Sequence, residues 1–327
     1  MPPWLVRDDG SCGSFRDSRA LVEEEIATIQ AWVDDGMQEG TPRSDLAPPV
    51  SEPIVNALSL KTPEFVPEPV GGPLAKYDEY RCFMVDPGLD HQTFLTAYDV
   101  LPGNPKIVHH VLAMPVEPEL DVGNGMTNMD VMMALDAESP DRAGWPCFGQ
   151  AGDGVETDSM PVVWAPGQGV VRYPEGTGNP VPAGSVIVIQ VHYNLDRPEL
   201  LGMSDSSEVH IELRDKVDIE GVYLTLDAFL DSLGEGEPEM LPAGEESVTY
   251  AWEEELGSWA PYFGWESMTI RGIFPHMHEF GQTLRVDVDT DGQGYGCAAD
   301  VPNWDFNWQL QYFLEQPLTL NELGKIR

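Results

Sequence analysis

Basic residues are scarce in this 327-residue chain: 17 Lys and Arg face 56 Asp and Glu, a formal net charge of −39. Nucleic acid and anionic membrane surfaces would repel such a polyanion, so neither is expected as a partner. Long apolar runs are missing as well, and none approaches the ~20 residues that span a bilayer. There are four cysteines, Cys12, Cys82, Cys147 and Cys297, with no CxxC spacing. A zinc ribbon and a thioredoxin-like motif are therefore excluded. The opening MPPWLVRDDG has neither a basic n-region nor an apolar h-region, so it does not read as a secretory signal. Histidine is rare too, with seven in all.

What the chain does have points to β-structure. Thirty-two glycines, 29 prolines and many short β-branched runs predict a mainly β architecture with numerous turns. Well-separated cysteines in such a chain fit structural disulfides, which implies an oxidising, extracytoplasmic compartment. One helix is predicted, over residues 18–37. Val22, Ile26, Ile29 and Val33 make an apolar stripe, with Ser18 as N-cap and Gly36 as the stop. Residues 39–53, EGTPRSDLAPPVSEP, read as a Pro-rich linker, and from about residue 60 strands alternate with Gly/Pro/Asp turns. A second seam is placed near 194–207. The expected layout is therefore a helical segment and linker over 1–53, a first β domain over 54–199 and a second over 200–327.

The histidines are placed unevenly. In FPHMHEF (274–280) the flanks are rich in β-formers, so the stretch reads as strand. Residues i and i+2 then share a face, which makes His276 and His278 neighbours and half of a metal site. Pro275 cannot donate to a ladder, which argues for an edge or a bulge there. A pair of surface histidines is the bland alternative. His109 and His110 are adjacent in the apolar strand of NPKIVHHVLAMPV, where ideal geometry sends them to opposite faces. Both reach one metal only if the strand twists or ends there. His192, near the end of GSVIVIQVHYNLD, reads by itself as a satisfied core histidine. His91 and His210 read as surface residues. Taken together, five of the seven histidines fall in three strands, in the order HH, H, HxH. Imidazole-dominated sites without carboxylates suit copper or zinc, and a methionine thioether would favour Cu(I).

With these motifs in order, the sequence resembles the copper type II, ascorbate-dependent monooxygenases, the family of peptidylglycine α-hydroxylating monooxygenase and dopamine β-monooxygenase. IVHHV, IQVHYN and FPHMHEFGQTLRV carry the resemblance, which spans roughly residues 75–327. VPNWDFNWQ (301–309) also looks like a segment of bacterial members. The resemblance implies two antiparallel β-sandwich domains of jelly-roll type, with one copper in each. It implies that His109, His110 and His192 hold an electron-transferring copper, and that His276 and His278 are two ligands of a catalytic copper that activates O2. The family's third catalytic ligand is a methionine downstream of the segment that begins here as LGKIR, and no methionine of this chain occupies the matching place. The family also staples its first copper domain, which implies a Cys82–Cys147 disulfide. No partner is assigned to Cys297, and a mate beyond Arg327 is left open. MPPW with LVEEEIATIQAWVDDGMQEG is similar to the tail of a c-type cytochrome module. Without CxxCH, covalent haem attachment is excluded, and both ends are expected to be trimmed.

The implied activity is hydroxylation of an activated C–H bond of a small molecule, with O2 and ascorbate or an equivalent reductant. A non-catalytic copper-binding or electron-transfer protein is the alternative. In peptide-amidating members an arginine two residues before HxH holds the substrate carboxylate. That position is Phe274 here, and strand alternation sends Arg271 to the other face. Peptide amidation is therefore not expected, and an apolar or aromatic substrate fits better.

Overall fold

The computed structural model describes residues 4–43, 52–70, 76–224, 242, 244–277, 280–306 and 308–327. The fold is mainly β, and the chain divides into two compact units, one of residues 51–224 and one joining 1–50 to 225–327.

The first unit contains two large sheets and a two-stranded ribbon of Asp121–Gly123 with Met126–Thr127. One sheet holds β1 (Leu58–Lys61), β3 (Thr93–Leu101), β6 (Thr177–Val181) and β8 (Glu208–Arg214), in the spatial order β1-β8-β3-β6, with these neighbours antiparallel and the short stretch Ile219–Glu220 added in parallel at the outer edge of β6. The other holds β2 (Asp78–Val85), β4 (Val108–Val116), β5 (Val162–Trp164) and β7 (Val186–Asn194), in the order β2-β7-β4-β5 and also antiparallel. The sheets touch where Tyr98 of β3 donates its hydroxyl to the Val163 carbonyl of β5 at 2.7 Å. β7 is buried along eight consecutive residues, Val186–Tyr193. Its near-continuous apolar run is what a strand covered on both faces requires. The seam expected near 194–207 lies later in the chain, after Leu224. β8 belongs to the first unit because it is hydrogen-bonded between β1 and β3.

The second unit pairs β9 (Met268–Ile273) with β12 (Tyr312–Leu320), and β10 (Leu284–Asp289) with β11 (Gly296–Val301). The N-terminal segment is part of its core. Val6 and Phe15 are buried with Ala299, Val301, Leu310, Tyr312 and Leu314, and the Trp4 and Phe15 rings lie edge-on to Tyr312 at 5.1 and 5.7 Å. A Cys12–Cys297 disulfide closes this arrangement. Cys297 thus finds its partner at the other end of the chain, not beyond Arg327. Helix α1 spans Glu23–Asp34, with Val22 as N-cap, its amide donating to Glu25 Oε2 at 3.0 Å. It is shorter than residues 18–37, because the Ser18 hydroxyl instead accepts from the amide of Ala20. Its stripe of Val22, Ile26, Ile29 and Val33 is exposed.

Candidate metal centre

The first three histidines converge, and a one-residue irregularity in the ladder explains how. Along β7 and β4 the register runs evenly from Val186↔Val116 to His192↔His110, then skips to Tyr193↔Val108. His109 is the extra residue of a β-bulge. A bulge sets two residues against one and breaks the alternation that would send neighbours to opposite faces. His110 Nδ1 lies 3.3 Å from His109 Nδ1 and 3.1 Å from His192 Nδ1. The three ligand atoms of the set all lie within 4.8 Å of one another. Among the described residues this is the group of three His, Cys, Asp or Glu side chains that comes together closely enough for a metal ion.

These distances discriminate between two uses. An imidazole nitrogen offers either one lone pair or one N–H, so His110 Nδ1 forms a good hydrogen bond with only one of its two neighbours. A cation at the centre serves all three lone pairs. With metal–nitrogen bonds of ~2.0–2.1 Å and tetrahedral angles, ligand nitrogens fall about 3.3 Å apart, close to the spacings found. The donor set therefore fits a metal, and three neutral imidazoles suit copper or zinc.

The surroundings hold the rings still. Tyr80 of β2 sits directly across from His192 and stacks on it, with centroids 4.0 Å apart and planes 11° from parallel. Phe148 packs edge-on against Tyr80 at 4.8 Å. The loop carrying Phe148 is fastened by the Cys82–Cys147 disulfide, with Cα atoms 5.9 Å apart, which bears out that pairing. Gln190, fully buried, donates to the Gln150 carbonyl at 2.7 Å and accepts from the Gly149 amide at 3.2 Å. Upstream, the buried Arg81 guanidinium donates to the Ala143 and Gly144 carbonyls and the Ser139 hydroxyl at 2.6–2.8 Å. Buried Glu79 takes both nitrogens of Arg142 at 2.7 and 2.8 Å. Charge-assisted bonds of this kind are the strong ones, so the loop is pinned at both ends.

The bulge has its own support. Asp205 accepts from the Asn104 amide at 2.8 Å and from the Tyr193 hydroxyl at 3.1 Å, tying the turn before β4 to the residue after His192. Burial, then the Asp205 charge, pushes the Tyr193 phenol well above its ordinary range, so it stays a donor. Asp78 Oδ1 lies 3.3 Å from His192 Nε2. Asp78, Tyr80, Gln190 and Asp205 were not singled out by sequence reasoning. The available signal was polar residues set inside otherwise apolar strands, as Gln190 is in VIVIQVHY.

The second histidine pair is only half described. His278 lies outside the described residues. His276 is not in a strand: β9 stops at Ile273 and Phe274–Met277 is irregular, in keeping with Pro275 having no N–H for a ladder. The β9–β12 register also breaks between Ile270 and Gly272. The irregularity falls at Arg271 rather than at Pro275, and the alternation argument for the side taken by Arg271 therefore does not apply. His276 Nδ1 meets the Oε1 of buried Gln309 at 2.6 Å, while the Gln309 amide donates to the Phe306 carbonyl. That orientation makes Oε1 the acceptor, so His276 carries its proton on Nδ1 and its lone pair on Nε2. His91 pairs with Asp90 and Asp215 on the surface, and His210, which is half-buried, pairs with Glu208. No protein-family model matches this chain, and no curated protein matches it.

Proposed function

We propose that this chain is a metal protein that holds copper at His109, His110 and His192. More particularly, we propose that it is a copper type II, ascorbate-dependent monooxygenase that hydroxylates an activated C–H bond of a small molecule. The observation that carries the metal reading is the bulge at His109, which turns two adjacent histidines towards His192. The ordered HH, H and HxH motifs favour copper over zinc and the monooxygenase over other copper proteins.

When bound, copper supplies one-electron redox chemistry and, in the second unit, activation of O2. The chain's own residues do the rest. His109, His110 and His192 present neutral ring nitrogens, with Tyr80 fixing one ring plane. Gln309 accepts from His276 Nδ1, which places the lone pair on Nε2, the tautomer that a ligand needs. Phe274 lies 6.4 Å from the His276 ring, nearly parallel to it, which gives this site an aromatic wall and suits an apolar or aromatic substrate. The disulfides accord with an extracytoplasmic location.

The alternative is a copper-binding or electron-transfer protein that uses the three-histidine group alone. Two measurements decide. After loading with Cu(II) and exhaustive dialysis, the protein is expected to retain one firmly held copper, and His192→Ala to lose it. Retention of no copper with all three histidines intact overturns the metal reading. Formation of a hydroxylated product coupled to ascorbate and O2 consumption separates the enzyme from the electron carrier, since a one-site carrier cycling between ascorbate and O2 reduces O2 without hydroxylating a substrate.

A further inference from the structure

We infer that Asp78 is a positioning residue of the metal centre: its carboxylate selects the His192 tautomer that leaves Nδ1 as the ligand atom. The inference rests on the metal reading of the three histidines, and not on the choice of reaction.

The sheet register puts Asp78 beside the ring. In the β2–β7 ladder Tyr80 faces His192 and Asp78 faces Asn194. Asp78 and Tyr80, two apart on one strand, therefore share the face that carries His192. Tyr80 covers the flat of the imidazole, and Asp78 Oδ1 lies 3.3 Å from its Nε2. Asn194 Nδ2 donates to the same oxygen at 2.7 Å. β7 thus supplies both the ring and the amide that keeps the carboxylate against it.

An ionised carboxylate only accepts. Beside it at 3.3 Å, in a charge contact rather than an aligned hydrogen bond, the imidazole is stabilised with hydrogen on Nε2 and destabilised with a lone pair there. The hydrogen on Nε2 leaves the lone pair on Nδ1, the atom 3.1 Å from His110 Nδ1. The reverse tautomer points an N–H into the cluster and blocks a cation. Asp78 lies on the far side of the ring from the cluster, so it acts through His192 and does not itself serve as a ligand. Its charge also makes Nδ1 a better donor, and it places one negative charge next to a centre of three neutral rings. Partners of this kind typically alter metal affinity about 10–100-fold.

The test is a competition titration of Cu(II) against a chelator, with Cu(II) EPR, on the full chain. Asp78→Ala is expected to weaken Cu(II) binding about 10–100-fold and to change the copper hyperfine coupling. Asn194→Ala, which keeps the carboxylate but frees it, is expected to give a smaller loss. Glu119→Gln removes an exposed carboxylate of the same unit and is expected to leave affinity and spectrum unchanged, which separates local placement from general charge. If Asp78→Ala fails to fold, Asp78→Asn keeps the shape, lacks the charge and is read in the same way. A wild-type chain that takes up no Cu(II) overturns the metal reading itself. A wild-type chain that binds, with Asp78→Ala binding equally well or changed only in the melting temperature of the metal-free protein, overturns this inference alone. A Glu119→Gln loss equal to that of Asp78→Ala overturns it too.

Discussion

His110 is the hub of the three-histidine group, since its Nδ1 is the atom that both other rings approach. What keeps that hub in place is a set of buried polar side chains, each with a bond to make. Gln190 is the clearest case, fully buried in the middle of β7 and bonded at both ends of its amide to residues 149 and 150. Replacing it with leucine keeps roughly the volume but removes the bonds to the Gln150 carbonyl and the Gly149 amide. Gly149 and Gln150 are exposed residues whose backbone groups water can reach, so the loss is that of ordinary hydrogen bonds. Gln190→Leu is expected to lower stability by about 1 kcal/mol in urea denaturation. An unchanged unfolding midpoint would show that water replaces both bonds and that the loop is not held from this side. The residue types of the first site were legible in the sequence, since His109, His110 and His192 all take part. Their partners were less so, because Asp78 and Asn194 meet only across the ladder, 116 positions apart.

At the scale of elements, the decisive feature is one that no local pattern announces. NPKIVHHVLAMPV reads as strand, and its Val108–Val116 part is strand; alternation then separates His109 from His110. The bulge that reunites them is a property of the pairing between β4 and β7, not of either strand alone, so it has no signature in periodicity. The same limit explains FPHMHEF. Its composition favours strand, but Pro275 has no amide to donate, and β9 ends two residues before it. Helix α1 was legible as a helix, yet its apolar stripe stands exposed, which shows that amphipathic spacing predicts the conformation and not the packing. The Cys82–Cys147 bridge joins β2 to the loop that carries Phe148, closing 65 residues of chain. In the chain-entropy account, such a loop contributes about 4 kcal/mol. Cys82→Ala with Cys147→Ala is expected to lower the stability of the metal-free protein by that order and to weaken copper retention, as Phe148 loosens from Tyr80. Equal copper retention in the double variant would mean that β2 holds Tyr80 without help from the loop.

Across the whole molecule, the largest force not balanced by a partner is charge. With 56 acidic side chains against 17 basic ones, most carboxylates have no cation to meet. The ion pairs at the surface, such as Lys61–Glu208 and Arg214–Glu212, are of the exposed kind worth about 0–1 kcal/mol each. Net self-repulsion of this size opposes compaction. Salt weakens attraction and repulsion together, so its net effect reports which dominates. The Debye length falls from about 30 Å at 0.01 M to about 3 Å at 1 M, which removes repulsion between distant carboxylates first and leaves close pairs until last. The melting temperature of the metal-free protein is therefore expected to rise steadily with NaCl over that range, with chelator present so that no bound cation contributes. The rise should be steepest below about 0.1 M, where the Debye length is still ~10 Å and spans neighbouring surface charges. A melting temperature that falls with salt would mean that the few ion pairs outweigh the excess of carboxylates, and the acidity would then need an explanation other than a highly solvated surface.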